Sequence, residues 1–170
     1  MSLSVLSRRS AIAAFAGTLA ATPLAVRAFA QSATRFRAIE VDVNNVRSSG
    51  DNVSADRIAR ELPALLQSSF AAHLAPSDRG APVLRARVDL VTYGSNGSAQ
   101  TPGNPFGAMD FIRGAALVVG PGGRVVATYP LEASVIARPD LTDITGESGR
   151  LRTSNLAASF AQWLPGKMGV

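Results

Sequence analysis

The chain has 170 residues, a formal net charge of +5, one histidine and no cysteine. The lack of cysteine excludes a disulfide framework, thiolate metal ligands, a cysteine nucleophile and a lipid anchor attached through an N-terminal cysteine. The excess charge comes mostly from Arg8, Arg9 and Arg27, and residues 31–170 carry 14 basic and 12 acidic side chains, a balance that does not indicate nucleic-acid binding.

The first 30 residues have the layout of a cleavable export signal. Arg8 and Arg9 form a positive start, residues 11–26 form an apolar run, and Ala28 and Ala30 are small residues at the positions that a signal peptidase reads. A membrane-spanning helix needs about 20 apolar residues. The apolar run is shorter and is interrupted by a glycine, two threonines and a proline. We therefore predict that this segment is removed.

The stretch SRRSAI at residues 7–12 resembles the twin-arginine signal family, whose pattern is Ser, Arg, Arg, any residue and two apolar residues. Arg8 and Arg9 match the arginine pair, whereas Ala11 replaces the usual phenylalanine. The weak hydrophobicity of the apolar run and the basic Arg27 before the cleavage site favour the same route. The resemblance implies a periplasmic location, with the twin-arginine translocase and a signal peptidase as partners during export. The general secretory route and a retained anchor are the alternatives.

The mature part, residues 31–170, is predicted to form a single domain that begins with a strand and a long helix. Residues 39–43 alternate apolar and acidic side chains, which is the period of a half-buried strand. Ser54 is the predicted helix N-cap, and apolar residues follow it at helical spacing. Pro63 lies inside this helix and predicts a bend, or a break near Leu62.

Three further strands are predicted after this helix. Residues 84–90 alternate apolar and charged side chains, and the loop 94–107, rich in Gly, Ser, Asn and Pro, is predicted to be mobile. Two β-rich runs flank the sequence GPGG at residues 120–123, which predicts an antiparallel hairpin. Its first strand is apolar on both faces and should be central, whereas Pro130 in the second strand suits an edge strand or a bulge.

A second helix is predicted to close the domain and to end at Pro165 and Gly166. Its apolar residues at helical spacing are Leu156, Phe160, Trp163 and Leu164. The expected fold is α+β, a two-layer sandwich of a four-stranded, mainly antiparallel sheet with two helices on one face, in the order βαβββα. This layout resembles small envelope proteins of Gram-negative bacteria, including auxiliary components of lipid-transport and outer-membrane assembly systems. The resemblance implies an envelope protein or a lipid as partner.

Few residues of the mature part have the types and spacing that catalysis or metal binding requires. A general base or a zinc site would use His73, but this residue lies near a predicted helix end, where histidine is favourable for electrostatic reasons. Asp140, Asp143 and Glu147 cluster without the spacing of an EF-hand, and acidic residues ahead of a helix are expected as caps. We therefore predict no catalytic residue, no metal ligand and no cofactor.

The candidate binding surface is a possible arginine patch. Arg85 and Arg87 project from the same face of the second strand, and Arg113 of the third strand is placed to join them and bind an anion or a partner. Asp89 lies on the same face, so ion pairing is the alternative. The expected function is an exported periplasmic accessory or binding protein without catalytic activity. The alternatives are a lipid or hydrophobic-ligand binder of an envelope transport or assembly system, and an enzyme or cofactor carrier exported in folded form.

Overall fold

The computed structural model describes residues 35–94, 109–137 and 146–170, which form an α+β fold with a four-stranded mixed sheet and three α-helices. The elements in chain order are β1 (Ala38–Asp42), α1 (Asn44–Ser48), α2 (Asn52–Ser69), a 3-10 helix (Ala71–His73), β2 (Val83–Thr92), β3 (Met109–Val119), β4 (Val125–Ile136) and α3 (Glu147–Met168). In these ranges, the search for membrane spans found no helix with the length and apolarity to cross a bilayer. The predicted signal, residues 95–107 of the predicted loop, and Asp140 and Asp143 lie outside the described residues.

The sheet has the strand order β1-β2-β3-β4, with β1 parallel to β2 and the two other pairs antiparallel. The prediction of an α+β fold is therefore confirmed, and the prediction of a mainly antiparallel sheet in the order βαβββα holds only in part. The first pair is parallel because α2 carries the chain back across the sheet, as a connection between parallel strands must. The short helix α1 is an additional element between β1 and α2.

The predicted hairpin is confirmed, since β3 and β4 pair antiparallel on either side of residues 120–123. Gly122 and Gly123 have φ angles of 88° and 81°, a backbone region that glycine adopts readily and other residues rarely adopt. As expected, β3 lies in the middle of the sheet and β4 lies at its edge, with Pro130 within β4. Proline is tolerated there because an edge strand needs only half of its backbone donors for pairing.

The core lies between one face of the sheet and the helices. The helices contribute apolar side chains at helical spacing, and the strands contribute alternate residues. The largest fully buried side chains are Phe36, Val46, Ile58, Leu62, Leu66, Phe70, Leu84, Val88, Ile112, Leu156, Phe160 and Leu164. Because α1, α2 and α3 all contribute to this one cluster, the described helices form a single layer.

Of the expectations about α2, the break near Leu62 and the N-cap at Ser54 are wrong. The helix runs without a break through Pro63, because Leu62 and Leu66 on either side are fully buried and hold both halves against the core. The N-cap is Asp51, whose carboxylate accepts a hydrogen bond from the backbone N–H of Ser54 at 3.0 Å. Ser54 itself lies inside the helix and is buried.

The strand β2 departs from simple alternation at a bulge between Val88 and Leu90. The extra residue turns Leu90 away from the core, and Val91 packs against the core in its place. The bulge faces Gly114 of β3, where an added Cβ would lie 2.1 Å from the carbonyl oxygen of Arg87. Glycine at this position therefore permits the close approach of the two strands.

The helix α3 is longer than predicted. It continues past Pro165 to Met168 and ends at Gly169, whose φ of 76° is typical of a helix C-cap. Trp163 was expected on the buried stripe, but it is 52% exposed, while Phe160 and Leu164 on either side are fully buried. The side of α3 that is buried is therefore narrower than the set of apolar residues in the sequence predicts.

Candidate functional site

The predicted arginines lie on the face of the sheet that is turned away from the core, which we call the outer face. Leu84, Ala86 and Ile112 belong to the core, so the residues between them on the same strands point to the opposite side. The side chains of the outer face include Glu40, Arg85, Arg87, Leu90, Thr92, Phe111, Arg113, Leu117, Thr128, Pro130, Glu132 and Ser134. All described helices pack on the other face.

Arg85 and Arg87 are engaged in ion pairs on the outer face. Arg85 donates from Nε and Nη2 to Glu40 Oε2 at 3.0 and 2.8 Å, from one strand to the next. Arg87 donates from Nε to Asp89 Oδ1 at 2.8 Å and from Nη2 to Asp89 Oδ2 at 3.3 Å. These four side chains neutralise one another, which is the arrangement that the sequence analysis left as the alternative to an anion patch.

Arg113 is held less tightly than the two other arginines. Its Nε lies 3.9 Å from Glu132 Oε2 of β4, and both side chains are more than half exposed. Together with Leu90, Thr92 and Phe111, this pair lines a groove of about 230 Å³ on the outer face. The groove combines two large apolar side chains with one cation and one anion at the same location.

A second constellation is a buried ion pair between α3 and the start of β3. Arg152 donates from Nε to Asp110 Oδ2 at 2.8 Å and from Nη2 to Oδ1 of the same carboxylate, and both side chains are almost fully buried. Nη2 also donates to the carbonyl oxygen of Gly94 at 2.8 Å, and the N–H of Gly94 donates to Asp110 Oδ1 at 3.0 Å. Hydrogen bonding to Asp110 raises the pKa of Arg152, so the guanidinium stays charged.

A chain of hydroxyl groups lies beside this ion pair. The hydroxyl of Thr153 donates to the carbonyl oxygen of Gly149 at 2.7 Å, and its oxygen lies 2.7 Å from the hydroxyl of Tyr93. Tyr93 Oη is also 2.9 Å from Ser54 Oγ, so a consistent order of donation runs from Ser54 to Tyr93 to Thr153. The guanidinium carbon of Arg152 lies 5.1 Å from the centre of the Tyr93 ring, within the range of a cation–π contact.

The buried constellation joins α2, β3 and α3 to residues 93–94, which follow β2, and no buried polar side-chain atom of the described ranges lacks a partner. The sequence analysis missed Asp110, Tyr93 and Arg152 as a group. The burial of Arg152 could have been predicted from its position, because it lies one helical turn before Leu156 on the buried side of α3. Because each of its buried polar side-chain atoms has a partner within the protein, we assign this constellation a structural role.

The remaining candidates from the sequence do not come together. His73 lies in the 3-10 helix, half-buried, with its ring edge-to-face against Phe70 at 6.4 Å. Glu147 begins α3 and forms an exposed ion pair with Arg150, whose hydrogen bond lowers the pKa of Glu147. Over residues 35–94, 109–137 and 146–170, no group of three or more His, Cys, Asp or Glu side chains is placed to hold a metal ion.

Comparison of the sequence with models of known protein families and with curated proteins found no match. Of the two constellations, only the outer-face groove has exposed side chains that a second molecule can reach.

Proposed function

We propose that this protein is exported to the periplasm and acts there as a non-catalytic, cofactor-free accessory or binding protein. Its binding surface is the groove of the outer face, where Leu90 and Phe111 supply an apolar floor and Arg113 and Glu132 supply polar groups at its side. Binding sites commonly combine an apolar lining with a few polar groups that fix the orientation of the ligand. The groove has this composition.

The observation that carries the proposal is the bulge in β2. If Asp89 held a regular position in the ladder instead of forming a bulge, alternation along β2 would direct Leu90 into the core. The bulge instead places this leucine on the outer face beside Phe111. Gly114 on the neighbouring strand leaves space for the backbone of Arg87 and Val88, next to the bulge. Bulges often re-aim side chains next to functional sites, and here the result is a large apolar side chain that faces away from the core.

The size of the groove limits what it can hold. Sites for drug-sized ligands have volumes of about 300–1,000 Å³, and the groove has about 230 Å³. It therefore suits one large apolar side chain of a partner protein or a short segment of an acyl chain. A lipid or hydrophobic-ligand binder of an envelope transport or assembly system is the second candidate, favoured by the same apolar floor.

The export part of the proposal rests on the signal-like segment that contains Arg8 and Arg9. The described fold begins at Arg35, and Phe36 is fully buried. Cleavage after Ala30 would therefore leave every described residue in the mature chain. Replacement of both signal arginines by lysine is expected to keep the protein in the cytosol, and N-terminal sequencing of the exported wild type is expected to begin at Gln31. Protein that begins at Met1 and stays in the cytosol would contradict export.

The binding part is tested by a substitution in the groove with a matched control on the same strand. Phe111→Asp places a charge on the groove floor, and Leu117→Asp places the same charge on the outer face away from the groove. Native mass spectrometry of the protein purified from its own periplasm, together with an apolar fluorescent dye as probe, reports binding. We expect Phe111→Asp to lose the bound mass and most of the dye signal and Leu117→Asp to keep both. A bare polypeptide whose dye signal is equal in all three proteins would refute the proposal.

A further inference from the structure

The strand β4 presents a long unpaired edge. It is the outermost strand on its side of the sheet, and no other strand of the described ranges pairs with its outer side. β4 spans 12 residues, whereas β1 at the opposite edge spans five. Natural proteins usually shorten, charge or cover such edges, because the free N–H and C=O groups of an edge pair readily with another strand.

The hairpin determines which residues of β4 direct their backbone N–H and C=O groups toward β3 and which direct them outward. The N–H of Gly120 donates to the carbonyl of Arg124 at 2.9 Å, which marks a hydrogen-bonded pair. Antiparallel pairs alternate between hydrogen-bonded and non-hydrogen-bonded. Counting back along β3 to Ala115 makes Ala115 and Pro130 a non-hydrogen-bonded pair, which agrees with the missing N–H of proline. The peptide groups of Thr128, Pro130, Glu132, Ser134 and Ile136 therefore point outward, whereas Val126 is the extra residue of a bulge between Val125 and Ala127, where the alternation is broken.

Both ends of this edge are apolar and exposed. Val125 is 52% exposed and Val126 is 41% exposed at the hairpin end, and Ile136 is 65% exposed at the other end. These three are half of the six large hydrophobic residues that are exposed in the described part of the chain. The only charged residue of β4 is Glu132, which lies near Arg113 of its own sheet. The edge therefore carries no row of like charges that would repel an identical strand.

We propose that β4 pairs antiparallel with β4 of a second copy of this chain, about a two-fold axis at Leu131. In this register Thr128 lies opposite Ser134 of the second copy, and Pro130 lies opposite Glu132 of the second copy. The hairpin end of each copy, with the exposed Val126, then lies near Ile136 of the other copy, so the exposed apolar ends cover each other. A two-fold contact of this kind is self-complementary, as the symmetry requires.

The phase and the apolar ends select this register. Hydrogen bonds between the two β4 strands form only where outward-pointing residues of both strands lie opposite each other. One strand can therefore slide along the other only by two residues at a time. A shift in either direction moves Ile136 off Val126 and exposes the apolar ends again. About six backbone hydrogen bonds form between the two β4 strands. Because proline has no N–H, one carbonyl group of the opposite strand at each Pro130 is left to bond to water at the exposed edge.

The dimer is expected to be weak and to change the groove. Stable complexes bury about 1,200–2,000 Å² of surface, and an interface made of one strand from each copy is small by comparison, so the dimer should dissociate on dilution.

Glu132, which lines the groove, would lie beside Pro130 of the second copy, and the two grooves would flank one continuous outer face. The dimer stands independently of the ligand proposed above.

Disulfide cross-linking tests the register, because the chain has no cysteine of its own. In Thr128→Cys/Ser134→Cys the two new thiols are about 20 Å apart within one strand, so they cannot pair inside one chain, but they lie opposite each other across the axis. Mild oxidation is expected to give a covalent dimer in high yield. The matched control is Thr128→Cys/Glu132→Cys, which places the second thiol one step out of register and is expected to give little dimer.

Sedimentation velocity over a range of concentrations tests the association itself. The wild type is expected to shift from monomer to dimer as the concentration rises, and Ile136→Lys is expected to stay monomeric with an unchanged circular dichroism spectrum. A wild type that remains monomeric at every concentration overturns the proposal, as does equal cross-linking of both cysteine pairs. A monomer that captures an added peptide along β4 also overturns it, since the edge would then serve a different partner.

Discussion

The substitution Arg152→Met is expected to destabilise the fold strongly, because it leaves the carboxylate of Asp110 charged in a buried site. The carboxylate accepts two hydrogen bonds from Arg152 and one from the N–H of Gly94. Only the bond from Gly94 survives the substitution, and the Gly94 carbonyl loses its donor as well. Removing one partner of a buried ion pair costs about 3–5 kcal/mol, a large part of the 5–15 kcal/mol that holds an ordinary domain together.

The expected change is large enough for a thermal melt to measure. For residues 31–170 the entropy of unfolding is roughly 0.3 kcal/mol/K, so the midpoint of unfolding should fall by about 10–17 °C. Circular dichroism at 222 nm follows the transition. Arg150→Met is the matched control on the same helix, because Arg150 pairs with Glu147 in an exposed position, and its midpoint should barely change.

A compensating variant separates the cost of the orphaned charge from a loss of packing. Combining Arg152→Met with Asp110→Leu removes both charges and keeps apolar volume, and replacement of a buried pair by apolar residues is often neutral or stabilising. The double variant should therefore recover most of the lost stability. If Arg152→Met instead unfolds within 3 °C of the Arg150→Met control, which corresponds to about 1 kcal/mol for a domain of this size, the unpaired carboxylate of Asp110 does not carry the expected cost.

Three further predictions concern single positions. Gly114→Ala should cost about 3 kcal/mol in urea unfolding, because its Cβ would meet the backbone carbonyl oxygen of Arg87. Gly166→Ala, with open space around it in α3, should be neutral or stabilising by up to about 1 kcal/mol. Tyr93→Phe should cost about 1–2 kcal/mol in the same assay, because it removes the hydroxyl that joins α2 to α3, and an unchanged unfolding midpoint would contradict this. Glu147→Gln should lower stability slightly at pH 7, because an arginine one turn along α3 lowers the pKa of this carboxyl from its ordinary value of 4.5. The stabilisation is present above that value and is lost as the pH falls through the lower folded pKa, so the melts of wild type and variant should converge in acid.

The sequence was sufficient to predict those elements that are determined by residues close together in the chain. The hairpin around residues 120–123 follows from glycine chemistry between two β-rich runs, and the edge position of β4 follows from Pro130. The parallel pairing of β1 with β2 was not predictable in the same way, because alternation along a strand says which residues share a face but not which strand lies next to it.

The candidate site was predicted in part, and the misses have physical causes. Arg85 and Arg87 were placed correctly on one face because both lie before the bulge of β2. The alternation of residues 84–90 groups Leu90 with the core residues, whereas the structure turns it to the outer face. The bulge that causes this cannot be recognised in the sequence, because apolar and charged residues alternate through it without interruption. Arg152 and Asp110 are separated by 42 residues, and a charged residue on a helix ordinarily indicates a surface position.

The position of α3 in the chain has a consequence for how the molecule matures. Its buried residues Leu156, Phe160 and Leu164, together with Arg152, complete both the apolar layer and the ion pair with β3. Until α3 docks, the sheet lacks one side of its apolar layer, and Asp110 has no counter-charge. The ion pair and the apolar layer are therefore completed in the same step, so a partly folded chain without α3 would bear both an exposed apolar face and an unpaired carboxylate.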